Sequence, residues 1–220
     1  MVYLYIAPEW FFGYDVFLEI GFAIISLLCG YYAVKIHKLT EQIPPKLFGI
    51  SFFLISASYF VQSFVNFAII SKLNENMCMA LRINDVVFLN TIGIAIHMIL
   101  FISGLSLLTY MSLKIRSWRV FILIWLICLM SIIFSLNNLY IFYMIASLML
   151  VFVCIHYLQI YLRKRKTRNL LSLVAFAFLL FSTLHFIISV DHALFYMIGH
   201  ILEFIAYILI LINLLLALKK

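Results

Sequence analysis

Apolar runs of helical length, parted by short polar or charged breaks, follow one another along the whole chain. A helix needs about 20 consecutive apolar residues to cross the hydrocarbon core of a bilayer. Seven runs approach or exceed that length, over residues 16–36, 47–71, 86–113, 118–135, 139–162, 169–190 and 194–218. The fourth is the shortest and the third the longest. The expected fold class is all-α, a polytopic seven-helix bundle that fills residues 1–220 as one transmembrane domain and leaves no soluble domain. Pro8, Pro44 and Pro45 fall outside the runs, and "EQIPPK" is the strongest break between two of them.

The polar positions within the runs carry the rest of the pattern. Asp15, Glu19 and Ser26 share one stripe of the first run, Tyr59, Gln62 and Asn66 one of the second, and Ser182, His185 and Ser189 one of the sixth. The third run adds Asn90 and Thr91, with His97 flanked by Gly93 and Gly104. The seventh, in "MIGHILEFIAY", adds His200 and Glu203 beside Gly199. Counting the helical rise from the outer boundary puts Glu19, Asn66, Asn90, His185 and His200 at depths of roughly 5 to 10 Å, Gln62 and Glu203 near ~13 Å and His97 about 17 Å. Spans 1, 2, 3, 6 and 7 are therefore expected to enclose a polar cavity that opens outward. A charged group at such depth costs roughly 2.5 to 3.5 kcal/mol on insertion scales unless it faces a cavity or a partner, so Glu203 is expected to face inward.

Composition agrees with the pattern, at 67% hydrophobic and 10% charged residues. Soluble domains average about half apolar and about a quarter charged. The net charge of +7 implies no nucleic-acid partner once its distribution is read. Lys35, Lys38, Lys46, Lys114, Arg116, Arg119, the cluster from Arg163 to Arg168, Lys219 and Lys220 fall on one face. Lys72 and Arg82 fall on the other, with Glu9, Asp15, Glu75, Asp85 and Asp191. The rule that cations stay cytoplasmic then puts the N-terminus outside, the C-terminus inside and the protein in the cell membrane as a multi-pass chain. "MVYLYIAPEWFFGYD" lacks a basic leader, so the first span is expected to stay, with Trp10, Phe11, Phe12 and Tyr14 as an interfacial anchor. Cys78 is alone in its loop, and no cysteine spacing suggests a disulfide framework or a metal knuckle.

Three functions compete for the buried polar groups. A sensor or receptor binds a small ligand or a proton through Glu19, Gln62, Asn66, Asn90, His97, His185, His200 and Glu203. A metal centre holds zinc or iron on His97, His185, His200 and Glu203, or a haem between His97 and His200, in a membrane enzyme or cytochrome. A small-solute transporter is the third, weakened by the lack of proline-broken spans. His37 and His156 are expected to snorkel at the inner interface and His192 to be solvated. No nucleophile stands beside a base, and the balance leans away from an enzyme.

"RINDVVF" is superficially similar to the start of the third helix of a microbial rhodopsin. The last span "LEFIAYILILINLLLALKK" has lysine only at its end, so no retinal is expected. The run "MIGHILEFIAYILILINLLLALKK" resembles the final helix of the seven-helix membrane-associated sensor domains that precede histidine kinases and diguanylate cyclases. Helix count, length and orientation agree with that family. The resemblance implies a sensor bundle that signals through a separate cytoplasmic or membrane partner, with oligomers permitted, and carries His200 over as a site residue.

Overall fold

The computed structural model describes residues 13–74, 83–114, 117–189 and 193–219. The anchor at Trp10, Phe11 and Phe12, the loop with Cys78 and Arg82, Arg116, Asp191 and His192 lie outside the described residues, as do the side chains of Lys72 and Asp85.

Within the described residues the structure is all helical. The helices are α1 (Tyr14–Thr40), α2 (Ile43–Asn74), α3 (Ile83–Leu113), α4 (Trp118–Ile133), α5 (Asn138–Lys164), α6 (Thr167–Ile188) and α7 (Ala193–Leu218). Six of them are long and apolar enough to cross a membrane; α4, with 16 residues, is shorter.

The ends differ from the sequence reading by up to four residues, and several have a local cause. α2 begins at Ile43, so Pro44 and Pro45 lie inside its first turn. That turn tolerates proline because its N–H groups have no partner within the helix. α1 runs on to Thr40 and is stopped by Glu41, which takes a left-handed conformation (φ 56°) and returns its N–H to the His37 carbonyl at 2.7 Å. Arg165 ends α5 in the same way, bonding the Tyr161 carbonyl at 2.7 Å. At the start of α5, Asn137 accepts a hydrogen bond from the N–H of Tyr140, a side-chain N-cap.

Packing closes six helices into a ring. α1 lies against α2 and α7, α2 against α3, α3 against α5, α5 against α6, and α6 against α7. α4 stands outside this ring on α3 and α5. Its side chains are correspondingly exposed along most of their length, among them Leu123, Ile127, Met130 and Ile133.

Small residues let the ring close tightly, since dispersion between close backbones drives helix association in lipid. A Cβ on Gly49 of α2 would lie 2.7 Å from Val34 and 3.0 Å from the Gly30 carbonyl of α1. A Cβ on Gly104 of α3 would lie 2.8 Å from the Ser51 carbonyl of α2. Inside the ring the core is aromatic: Phe22, Phe52, Phe142, Phe176 and Tyr207 are among the largest fully buried side chains. Outside it, large apolar side chains such as Phe17 and Phe64 face the surroundings, as lipid requires.

Candidate functional site

α1 buries one face, at Asp15, Glu19, Phe22, Ser26, Cys29 and Ala33. The alternating steps of four and three residues keep that face in register with the interior. It brings a carboxylate to α2. The Asn66 amide nitrogen donates to both oxygens of Glu19, at 2.9 and 3.0 Å.

α7 brings the second carboxylate. Glu203 accepts at Oε1 from the hydroxyl of Tyr59 on α2, and Tyr207, one turn beyond Glu203, donates its own hydroxyl to Tyr59 at 3.2 Å. Glu19 and Glu203 are each 3% exposed, so neither is hydrated from the surface. Among the described residues, the donors that reach them are an amide and a phenol, which carry no charge. α2 therefore holds α1 and α7 through side chains two turns apart on one of its faces, Tyr59 and Asn66.

The imidazoles sit around this pair of bridges in separate surroundings. His97 of α3 bonds through Nδ1 to the Ser58 carbonyl at 3.1 Å; a carbonyl only accepts, so this nitrogen carries the proton. Its ring stands edge-on to Tyr59 and stacks on Phe101. His200 of α7 is buried among Phe22, Phe186 and Tyr196, with its ring stacked on Phe22 at 5.7 Å. His185 bonds back to the Phe181 carbonyl of its own helix at 2.7 Å and touches Phe195, apart from the carboxylates.

The structure thus joins Glu19 to Asn66 directly, joins Glu203 to Tyr59, and reaches His97 and His200 through shared rings. Gln62 is half-buried on the same face of α2, and its Oε1 has no hydrogen-bond partner among the described residues. Asn90 is half-buried on α3, and no hydrogen bond among the described residues joins it to the network.

Among the described residues, no three His, Cys, Asp or Glu side chains come together as metal ligands would. The haem arrangement does not fit either. Between His97 and His200 run the rings of Tyr59 and Phe22, with successive centroids 5.7, 5.3 and 5.7 Å apart, filling the route a macrocycle would occupy.

Comparisons with protein-family models, curated proteins and solved structures find no match to this chain.

Sequence reasoning missed Tyr207 and undervalued Tyr59. The signal for Tyr207 was its position four residues after Glu203, one helical turn along the same face.

A second region, unforeseen from the polar stripes, lies toward the other end of the bundle. A cavity of about 310 Å³ is lined by residues from α1, α2, α3, α5, α6 and α7. Its walls include Phe48, Tyr157 and Phe176, with Tyr157 and Phe176 stacked at 4.9 Å. Gln42, Lys114, His156, Ser172 and Asn213 are among its polar members. Asn213 donates to Ser172 at 2.7 Å and so ties α7 to α6 beside the cavity.

Proposed function

We propose that this protein is a seven-span receptor of the cell membrane, with its N-terminus outside and its C-terminus in the cytoplasm. A proton or small polar ligand arriving from outside acts at Glu19 and Glu203. The observation that carries this reading is that α2 holds a carboxylate of α1 and a carboxylate of α7 through uncharged donors.

A carboxylate in lipid without a cationic partner is costly, and intramembrane ionisable groups mark functional sites by default. Any change of proton or ligand occupancy alters what Tyr59 and Asn66 can donate to. Two contacts on one face of α2 change together, and the docking of α1 and α7 against α2 shifts. A ligand moves such an equilibrium only by its differential affinity for the two packings, which here resides in those hydrogen bonds.

The output leaves at the end of the bundle where the cations gather. Lys35, Lys38, Lys46, Arg163, Lys164 and Lys219 flank that end, and cation retention makes it the cytoplasmic one. The similarity of α7 to the last helix of sensor domains that precede kinases and cyclases fits a signal handed to a separate partner. His200, stacked on Phe22 one turn from Glu19, couples the same two helices a second time.

The test is a distance measurement. Spin labels at Lys46 on α2 and Leu216 on α7, both exposed, report the separation of these helices in lipid nanodiscs after the native cysteines are replaced. The separation is expected to change between acid and alkaline pH in the otherwise native chain, and to stay fixed in Glu203→Gln and Glu19→Gln. An unchanged separation in the native chain at all pH values and with extracellular small solutes present would overturn the receptor reading.

A further inference from the structure

We infer that the cavity at the cation-rich end binds the headgroup and upper acyl chain of an anionic glycerophospholipid. It lies toward the other end of the bundle from the carboxylates and rests on different residues.

The cavity has a floor and a rim of opposite character. The floor is aromatic and fixed, with Tyr157 stacked on Phe176 at 13° and Phe48 edge-on to Phe176 at 6.3 Å. The rim is exposed and carries Gln42, Pro44 and Lys114, with the half-buried His156 beside them. Its volume of about 310 Å³ lies at the small end of ordinary ligand sites.

Lys114 is the cation placed to read a phosphate. It follows the last residue of α3 in a left-handed conformation (φ 55°), with its N–H returned to the Met111 carbonyl at 3.2 Å. A non-glycine residue takes that backbone at a cost, so the turn fixes where the lysine stands relative to the cavity. Imidazole adds a second polar group on α5. The surroundings reinforce the sign: Lys35, Lys38, Arg163 and Lys164 lie near the ends of the helices that line the cavity.

A purely ionic ligand leaves the aromatic floor unused, and a neutral apolar one leaves the lysine uncompensated. An anionic lipid satisfies both, and basic pockets between membrane helices on the cytoplasmic side take such headgroups. The two prolines at the start of α2 keep the rim stiff, because they fix φ in the first turn.

The experiment is native mass spectrometry of the detergent-purified full chain, incubated with equal amounts of phosphatidylglycerol and phosphatidylcholine of the same acyl chains. The phosphatidylglycerol adduct is expected to dominate and to fall about fivefold in Lys114→Ala, the effect of one cation near a headgroup. It should also fall in Ile210→Trp, which fills the cavity, and persist in Lys38→Ala, where the lost cation lies outside the cavity lining. Equal binding of the two lipids, or equal losses in Lys114→Ala and Lys38→Ala, would overturn the assignment. So would displacement of the lipid by inorganic phosphate at matching concentration, since the acyl chain would then contribute nothing.

Discussion

Tyr59 of α2 donates its hydroxyl to Glu203 of α7, and the two residues meet across the interior of a ring in which α2 and α7 are both neighbours of α1. The bond spans the bundle, so it senses the relative position of helices that flank the same third helix. Tyr207 extends it by donating to Tyr59, and Cys29 of α1 places its thiol 4.0 Å from the Tyr207 carbonyl.

Removing the central hydroxyl tests this chain of bonds. Tyr59→Phe leaves the Glu203 carboxyl without its phenol and the Tyr207 hydroxyl without its acceptor. Thermal unfolding in detergent should show a loss of about 1–2 kcal/mol, the range for a buried donor removed and for hydrogen bonds between membrane helices. Tyr207→Phe alone should cost less, because Tyr59 keeps its bond to Glu203. The double variant should fall short of the sum of the two, as contacting members of one network do. Strict additivity would show that the hydroxyls act independently.

The Glu19–Asn66 pair makes a separate prediction. A single amide nitrogen reaches both carboxylate oxygens, so Asn66→Leu strips Glu19 of every donor it has among the described residues. The expected cost is about 1–3 kcal/mol, dominated by the unpartnered carboxyl rather than by the lost amide. Glu19→Leu in the same chain should recover much of that loss, because removing both partners is cheaper than removing one. A double variant less stable than Asn66→Leu would exclude a pairing role for Asn66.

Backbone approach offers a test independent of any polar group. Gly49→Val puts a side chain into space already held by Val34 and the Gly30 carbonyl, and overpacking of this kind costs about 1–3 kcal/mol. Gly21→Ala is the control, because its nearest neighbour, Phe204, stands 3.7 Å from the new Cβ. Its expected effect is within about 0.5 kcal/mol. Equal losses at the two positions would show that the crossing of α1 and α2 is not the tight contact in the ring.

The helices were legible because lipid imposes a single rule on every backbone group, that it be bonded within its own segment. Length and hydropathy then find the segments. The inward faces of α1 and α2 were legible too, since Glu19 and Asn66 stand out against apolar neighbours. Which polar groups meet was not. Tyr59 and Glu203 lie 144 positions apart, and no periodicity within a helix encodes the rotation of one helix against another. Tyr207 passed as one aromatic residue among 13 tyrosines and 22 phenylalanines. His185 shared its stripe with buried Ser182 and Ser189, yet bonds its own helix and stands against the Phe195 ring of α7. The cavity at the cation-rich end escaped because it is made of helix ends, where six elements contribute one to three residues each.

That cavity also bears on how often the chain crosses the membrane. Its lining takes Ala33 and Ile36 from the end of α1, Phe48 from the start of α2, Met111 from the end of α3, Tyr157 and Ile160 from the end of α5, Ser172 from the start of α6 and Asn213 from the end of α7. α3 and α5 both finish at this end of the bundle, so α4 must carry the chain back from it to the far end. Sixteen residues span only about 24 Å as a helix, short of a hydrocarbon core of about 30 Å. If α4 crosses the bilayer, a position outside the ring, on α3 and α5, lets that shortfall be met by local thinning, at fractions of a kcal/mol per Å. Single cysteines at Lys38, Ser117 and Asn138, all exposed in the structure, turn this into a labelling experiment on intact cells with an impermeant maleimide. Asn138→Cys should be labelled from outside, while Lys38→Cys and Ser117→Cys should react only after the membrane is opened. Labelling of Ser117 and Asn138 from the same side would mean that α4 lies along one surface and that the cations of the bundle are divided between two compartments.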